Sequence, residues 1–386
     1  MDRRGSLVRV MKGGSRKMSR TKKCSIGLMM VVICYVLLGL NMYIKGTYPT
    51  NIRLFSRDDT LSTNDQGDVN TPVVIVGYMR SGSTLTGNII QRDPATFYAF
   101  EPLHHLFSEY YMQYGRKFPD LNVRTYRPSM LLKEEAQYIF RAWFSCDFDF
   151  LLEKPYRYFF NFFKHGIKTK KLVDCLNKTS EAGIKGMSYS TLCTSILKKQ
   201  CLKSRYRVIK TIRMPIHWLY ELMSEFPTMK IIHLVRDPRA IVASQHRYSA
   251  CTLRNGGIIG CARLLCSCME DDVTMYGVFK DKFPGRTLSM KFEDLANDPL
   301  GVTQTLYKYL NLEITDSVVQ YVVNATMSGN QPEHVLDSVR PDSKAIVDAW
   351  RKELSPFNLE TVQTLCKYTM EQLSYYHFIK PYNSTK

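Results

Sequence analysis

The apolar positions of this chain fall into two unlike patterns. From Ile26 to Ile44, nineteen residues (IGLMMVVICYVLLGLNMYI) run without a charge. As a helix they span ~28 Å, close to the ~30 Å hydrocarbon core of a bilayer, and no polar stripe marks them as a buried globular helix. Residues 45–71 are rich in Asn, Asp, Ser and Thr with no apolar period, the pattern of a solvated stem. Beyond Pro72 the apolar positions break into short runs. Pro72–Val76 and Met229–Val235 are apolar and β-branched, and read as strands buried on both faces of a parallel sheet. Strands are expected near 73–77, 207–212, 231–235 and 287–291. The predicted fold class is α/β: a parallel sheet with helices on both faces in one large domain, residues 72–386, preceded by a single transmembrane helix.

Charge fixes the orientation of that helix. Nine Lys and Arg against Asp2 alone give residues 1–23 a net +8 of the total +18, leaving +10 for the rest. The positive-inside rule then makes residues 1–25 a cytosolic tail, 26–44 a signal anchor and everything beyond 45 lumenal, a type II layout. A cleaved signal peptide fits less well, because the basic region and the apolar run are both too long and no A-x-A-like site follows. The basic tail thus sets topology and is poor evidence for nucleic-acid binding. Apolar residues at 45% and aromatics at 12% exclude a disordered or collagen-like chain. The basic remainder favours an anionic ligand.

Nine cysteines follow the apolar run, so disulfides are expected in an oxidising compartment, with one thiol left over. Cys261, Cys266 and Cys268 lack a second Cys-x-x-Cys or a His pair, and read as structural rather than zinc ligands. Sequons stand at Asn177, Asn324 and Asn383.

The candidate chemistry begins directly after the first strand, with Gly77-Tyr78-Met79-Arg80-Ser81-Gly82-Ser83-Thr84 leading into a helix. Strand, glycine loop and helix N-terminus make an anion cradle: Gly82 lets the backbone approach, N–H groups point at the ligand, and Ser83 and Thr84 add hydroxyls. As a Walker A loop it has Ser83 where lysine belongs, which speaks against nucleotide triphosphate hydrolysis. Arg80 supplies a permanent planar cation instead. The second buried run ends in Arg236-Asp237-Pro238-Arg239, where Asp237 suits an N-cap and Pro238 the first helical position. Arg236 thus sits at a strand's carboxyl end, where open α/β sheets bind ligands, and Ser244 lies two helical turns on.

Together these segments resemble the sulfotransferases that use 3′-phosphoadenosine 5′-phosphosulfate, and among them the Golgi carbohydrate branch acting on the 6-hydroxyl of galactose, N-acetylglucosamine or N-acetylgalactosamine. GYMRSGSTLTGNII is similar to their 5′-phosphosulfate loop and LVRDPRAIVAS to their 3′-phosphate motif, while Phe100-Glu101-Pro102, Val208–Arg213 and Lys291–Leu295 resemble three shorter stretches of that branch. The resemblance implies that Arg80, Ser81, Gly82, Ser83, Thr84, Arg236 and Ser244 bind the donor, with no metal. It implies a neutral or acidic glycan acceptor in the lumen of the Golgi and no nucleic acid, and it leaves a homo-oligomer open. Arg80 would also serve catalysis by stabilising the leaving phosphate. The expected general base is Glu101, placed by Pro102 in extended strand-end geometry, with His104 and His105 as rivals.

Other readings share some features. A type II Golgi glycosyltransferase needs a metal-binding Asp-x-Asp, which Asp147 and Asp149 match in spacing alone. A non-catalytic glycan-binding ectodomain has no use for a phosphate loop, and a nucleotide kinase lacks its lysine here.

Overall fold

The computed structural model describes residues 70–104, 130–152, 163–181, 187–252, 256–327, 329, 339 and 342–379. The chain divides into two compact units, Met1–Gln66 and Gly67–Lys386. The expected cytosolic tail and anchor, nearly all of the stem, His105 and Asn383 lie outside the described residues. No helix among the described residues is long and apolar enough to cross a membrane.

Five strands form one sheet: β1 (Thr71–Val76), β2 (Thr96–Phe100), β3 (Tyr206–Thr211), β4 (Lys230–Val235) and β5 (Thr287–Lys291). Their order is β2-β3-β1-β4-β5, and every pairing is parallel. The four expected strands thus appear within two residues of their predicted positions. The fifth, β2, is the aromatic run before Glu101.

The longer helices are α1 (Ser83–Ile90), α2 (Met130–Ser145), α3 (Lys170–Glu181), α4 (Met187–Leu202), α5 (Pro238–Arg247), α6 (Gly257–Lys282), α7 (Pro299–Leu310), α8 (Asp316–Thr326) and α9 (Pro356–Leu365). Strand side chains alternate between faces, and the core splits accordingly. Val74, Val76, Phe97 and Ile209 pack with Ala136, Phe140 and Trp143 of α2 and Leu197 of α4. Val73, Ile75, Tyr98, Val208 and Ile232 pack with Ile89 of α1, Leu306 of α7 and Val322 of α8. Each strand of this kind is buried on both sides, which is why its sequence is a continuous apolar run rather than an alternating one. A third cluster joins Val235, α5 and α6 to Trp350 and α9.

All nine of the later cysteines are described. Eight pair as Cys146–Cys201, Cys175–Cys193, Cys251–Cys261 and Cys266–Cys366, and Cys268 is free. Of the three cysteines read as structural, Cys261 and Cys266 thus sit in separate disulfides and Cys268 is the thiol left over. Asn177 on α3 and Asn324 on α8 are both exposed.

Candidate active site

The five strands all run in one direction, so their carboxyl ends share an edge, and each ends in a polar segment there. A cleft of about 370 Å³ opens at this edge. Arg80 and Gly82 reach it from the end of β1, Glu101 from β2, Lys210 and Arg213 from β3, Arg236 from β4 and Phe292 from β5. Ser83, Thr84, His104 and Ser244 line the same cleft.

The loop after β1 is shaped by its backbone. Arg80 and Gly82 both adopt left-handed conformations, with φ of 74° and 91°. A Cβ at position 82 would lie 2.3 Å from a ring carbon of Phe292, so both the conformation and the space demand glycine. Gly82→Ala is expected to cost about 1–3 kcal/mol of strain and to weaken anion binding about tenfold. Calorimetric unfolding and binding of adenosine 3′,5′-bisphosphate check this; a variant unchanged in both would show that the Phe292 ring gives way freely.

Gly82 also caps α1, no side chain caps that terminus, and the first turn from Ser83 to Leu85 lines the cleft. The loop carbonyls are held from the other side. Arg236 Nη1 donates to the Arg80 carbonyl at 2.9 Å, and Gln245 Nε2 donates to that of Met79 at 3.0 Å. Two loop carbonyls are thus taken up by side-chain donors, while the N-terminus of α1 keeps its N–H groups free of a side-chain cap, a balance that favours an anion.

Ser81 departs from its expected role. It is fully buried; its N–H donates to the Tyr78 carbonyl at 3.0 Å and its hydroxyl accepts from Tyr78 N–H at 3.0 Å. Its side chain shapes the loop from beneath instead of lining the cleft.

Arg80 and the second motif meet directly. Arg80 Nε donates to Ser244 Oγ at 3.1 Å, and its guanidinium lies 4.1 Å from the Tyr248 ring centroid. Arg236 is 7% exposed and stacks 4.4 Å from the centroid of Phe292. Its Nε is buried with no hydrogen-bond partner among the described residues. Burial pulls this guanidinium down to about 10, against the opposing attraction of Glu293, so it remains charged at neutral pH. Asp237 is the N-cap of α5, accepting from Arg239 N–H at 2.9 Å, with Pro238 in the first turn as its sequence predicts. Asp237 N–H in turn donates to Glu293 at 2.9 Å, tying the segment after β4 to that after β5.

Glu101 sits differently from its expected extended geometry. Its φ is 50°, a left-handed value. Its N–H still completes the ladder to the Lys210 carbonyl at 2.9 Å, while both carboxylate oxygens form ion pairs, one with Lys210 and one with Arg213. The side chain is turned to meet these two cations rather than left free at a strand end. Burial pushes its pKa up, but Lys210 and Arg213 outweigh burial and hold it below the ordinary carboxylate range. A carboxylate so stabilised is a weak proton acceptor. His104 follows in the same turn, its N–H donating to the Glu101 carbonyl at 2.9 Å.

The sulfotransferase family profile, described as "Sulfotransferase family", matches residues 72–316, more than half of the chain and all five strands but for Thr71. The chain belongs to the sulfotransferase family. Among curated relatives it is similar to carbohydrate sulfotransferase 1 of Danio rerio, 26% identical over 335 residues that cover 79% of this chain and 78% of that one. It is likewise similar to human carbohydrate sulfotransferase 5, with 25% identity covering 80% and 78%. Among solved structures, the sulfotransferase domain from the curacin biosynthetic pathway aligns at 16% identity over 80% of this chain and 99% of that one, with a TM-score of 0.48. A mouse sulfotransferase, SULT7A1, solved with PAP aligns at 12% over 79% and 85%, with a TM-score of 0.41.

Membership leaves the Asp-x-Asp reading without a place. Asp147 accepts from Asp149 N–H at 3.2 Å in a local turn beside the Cys146 disulfide; both aspartates are exposed and neither lines the cleft. What sequence reasoning missed is the counter-charge of Glu101. Lys210 and Arg213 stand in plain view at the end of a predicted strand, and strand-end cations beside a predicted anion cradle were the available signal. Tyr248 and the Phe292 lid over Gly82 carried no comparable signal, since both are defined only by packing.

Proposed function

We propose that this sulfotransferase moves a sulfuryl group from 3′-phosphoadenosine 5′-phosphosulfate to a primary hydroxyl, at the 6-position, of a hexose or N-acetylhexosamine in glycans. The observation that carries the reading is the Arg80–Ser244 hydrogen bond, which brings the 5′-phosphosulfate loop and the 3′-phosphate motif into one cleft. The unpartnered Arg236 Nε and the uncapped N-terminus of α1 fit a ligand with two separated phosphate groups. The names of the curated relatives support a carbohydrate acceptor.

In the transfer, the acceptor oxygen forms a bond to sulfur as the bond from sulfur to the 5′-phosphate oxygen breaks, and adenosine 3′,5′-bisphosphate leaves with the electron pair. Charge builds on the leaving phosphate, so the α1 N–H groups and Arg80 act more strongly in the transition state than in the ground state. Arg236 and Ser244 hold the 3′-phosphate. The acceptor proton goes to a base. Glu101, held as a weak base by Lys210 and Arg213, keeps those two cations in position, and His104 in the same cleft is the candidate to take that proton. Four disulfides support an oxidising compartment, and the uncharged run Ile26–Ile44 supports a Golgi membrane anchor with the catalytic unit lumenal.

Radiolabelled donor presented with a panel of desulfated glycans tests the activity and names the sugar. Arg236→Ala is expected to raise the donor KM by more than about tenfold, since a charge-assisted hydrogen bond is worth ~1.5–3 kcal/mol. Ser244→Ala should shift it less, and normal donor binding by both variants would sink the 3′-phosphate assignment.

A further inference from the structure

Beneath the phosphate loop, and outside the cleft lining, lies a buried polar cluster that the transfer itself does not use. Tyr78 is 6% exposed, His233 1% and Asp272 5%. Tyr78 Oη lies 2.9 Å from His233 Nε2 on β4 and donates to Asp272 Oδ2 on α6 at 3.1 Å. The other carboxylate oxygen, Oδ1, accepts from Ile216 N–H at 2.8 Å. Tyr78 stands two residues before Arg80, and Ile216 three residues after Arg213. One carboxyl therefore grips both limbs of the cleft from below. Its own helix is anchored by disulfides at Cys261 and Cys266, so the grip has a fixed base.

Burying a carboxyl, a phenol and an imidazole together costs free energy that an apolar cluster of the same shape avoids. We propose that Asp272 is a positioning residue for sulfuryl transfer, holding the Arg80 loop against the segment that carries Arg213. The proposal rests on the function given above. The groups facing the carboxyl are Tyr78 from the loop, with His233 of β4 behind it on the same phenol, and Asp271 and Cys268 on its own helix.

The tie holds in either protonation state. Burial pushes the Asp272 carboxyl up to about 7 and the His233 imidazole down to about 3, so the imidazole is neutral and free to donate or accept at Nε2. With Asp272 ionised, Tyr78 donates to it and accepts from Nε2–H. With Asp272 protonated, its hydroxyl donates to Tyr78 and Tyr78 donates to Nε2. Asparagine reproduces the second arrangement, its carbonyl taking Ile216 N–H and its amide donating to Tyr78. Alanine severs both limbs.

The test compares Asp272→Asn, Asp272→Ala and Tyr78→Phe in the full-length, oxidised protein, by amide hydrogen exchange and steady-state transfer. In Asp272→Ala, exchange should accelerate at least about tenfold in residues 77–82 and in 212–216, and kcat should fall at least about tenfold with the acceptor KM within about twofold. Asp272→Asn should stay close to wild type in both measurements, a rescue that a merely space-filling role does not predict. Unchanged exchange in a folded alanine variant, or equal impairment of asparagine and alanine, overturns the proposal. If the alanine variant does not fold, Tyr78→Phe decides: it should loosen 77–82 alone, and wild-type exchange there overturns the tie. A wild-type protein that transfers no sulfuryl group would sink the functional reading, while the exchange data still decide whether Asp272 holds the loop.

Discussion

Arg80→Ala is expected to lower kcat by at least about a hundredfold, with a smaller rise in donor KM, because removing one preorganised donor from developing charge costs ~10²–10³. Three observations place the side chain for that work. It lies on the loop at the mouth of α1, it donates to Ser244, and it is steadied over the Tyr248 ring. A ground-state contact alone would raise KM and leave kcat standing. Lysine should recover part of the loss, since it keeps the charge but not the planar fork that can donate to Ser244 and to an anion at once. Steady-state rates with varied donor read the split; rescue by Gln equal to that by Lys would show that charge is irrelevant there.

Glu101→Gln should be the most damaging change to stability. The carboxylate is 3% exposed and bridges Lys210 and Arg213, of which Lys210 is itself 4% exposed. Removing one partner of a buried ion pair leaves an uncompensated charge and costs ~3–5 kcal/mol, here a Tm lower by about 10 °C. Activity should fall with it as the two cations move. The folded-state pKa of Glu101 is depressed, so its contribution is fully present above the ordinary value of ~4.3 and is lost as pH falls through the lower folded value. The glutamine variant should therefore differ most from wild type at neutral pH and converge with it in strong acid. A variant that keeps its Tm while kcat collapses would return the role of general base from His104 to Glu101.

The sequence was most legible where one local rule acted alone. Buried parallel strands are continuous apolar runs, so Pro72–Val76 and Met229–Val235 announced β1 and β4 together with the polar segments that follow them. Asp237 and Pro238 announced the start of α5 by capping chemistry. Arg236 and Ser244 could be paired because one stands at the end of a predicted strand and the other two turns along the helix that directly follows it. Long-range partners left no such trace. The ion pairs of Glu101 join residues more than a hundred positions apart, and the close approach of Phe292 to Gly82 depends on how β5 lies beside β4. Ser81 misled because a serine in a glycine loop reads the same whether its hydroxyl faces the ligand or props the loop. The left-handed turn at Glu101, whose carboxylate meets two distant cations, likewise had no local signal.

The segment from Cys366 to Tyr376 lies outside both phosphate-loop segments, yet it holds the stretches that follow β4 and β5. Cys366 is bonded to Cys266, the Leu373 carbonyl accepts from Lys291, Tyr375 Oη donates to Glu293 at 2.8 Å, and the Tyr376 carbonyl accepts from Arg239 at 2.8 Å. Glu293 and Arg239 in turn fix Asp237 beside Arg236. During synthesis, the strands and the loops after them are all made well before these partners, so the cleft cannot reach its final shape until this segment has followed. A premature stop codon shortly before residue 366 would spare every residue that the family profile matches and still leave the Arg236 side of the cleft slack and Cys266 without its disulfide partner.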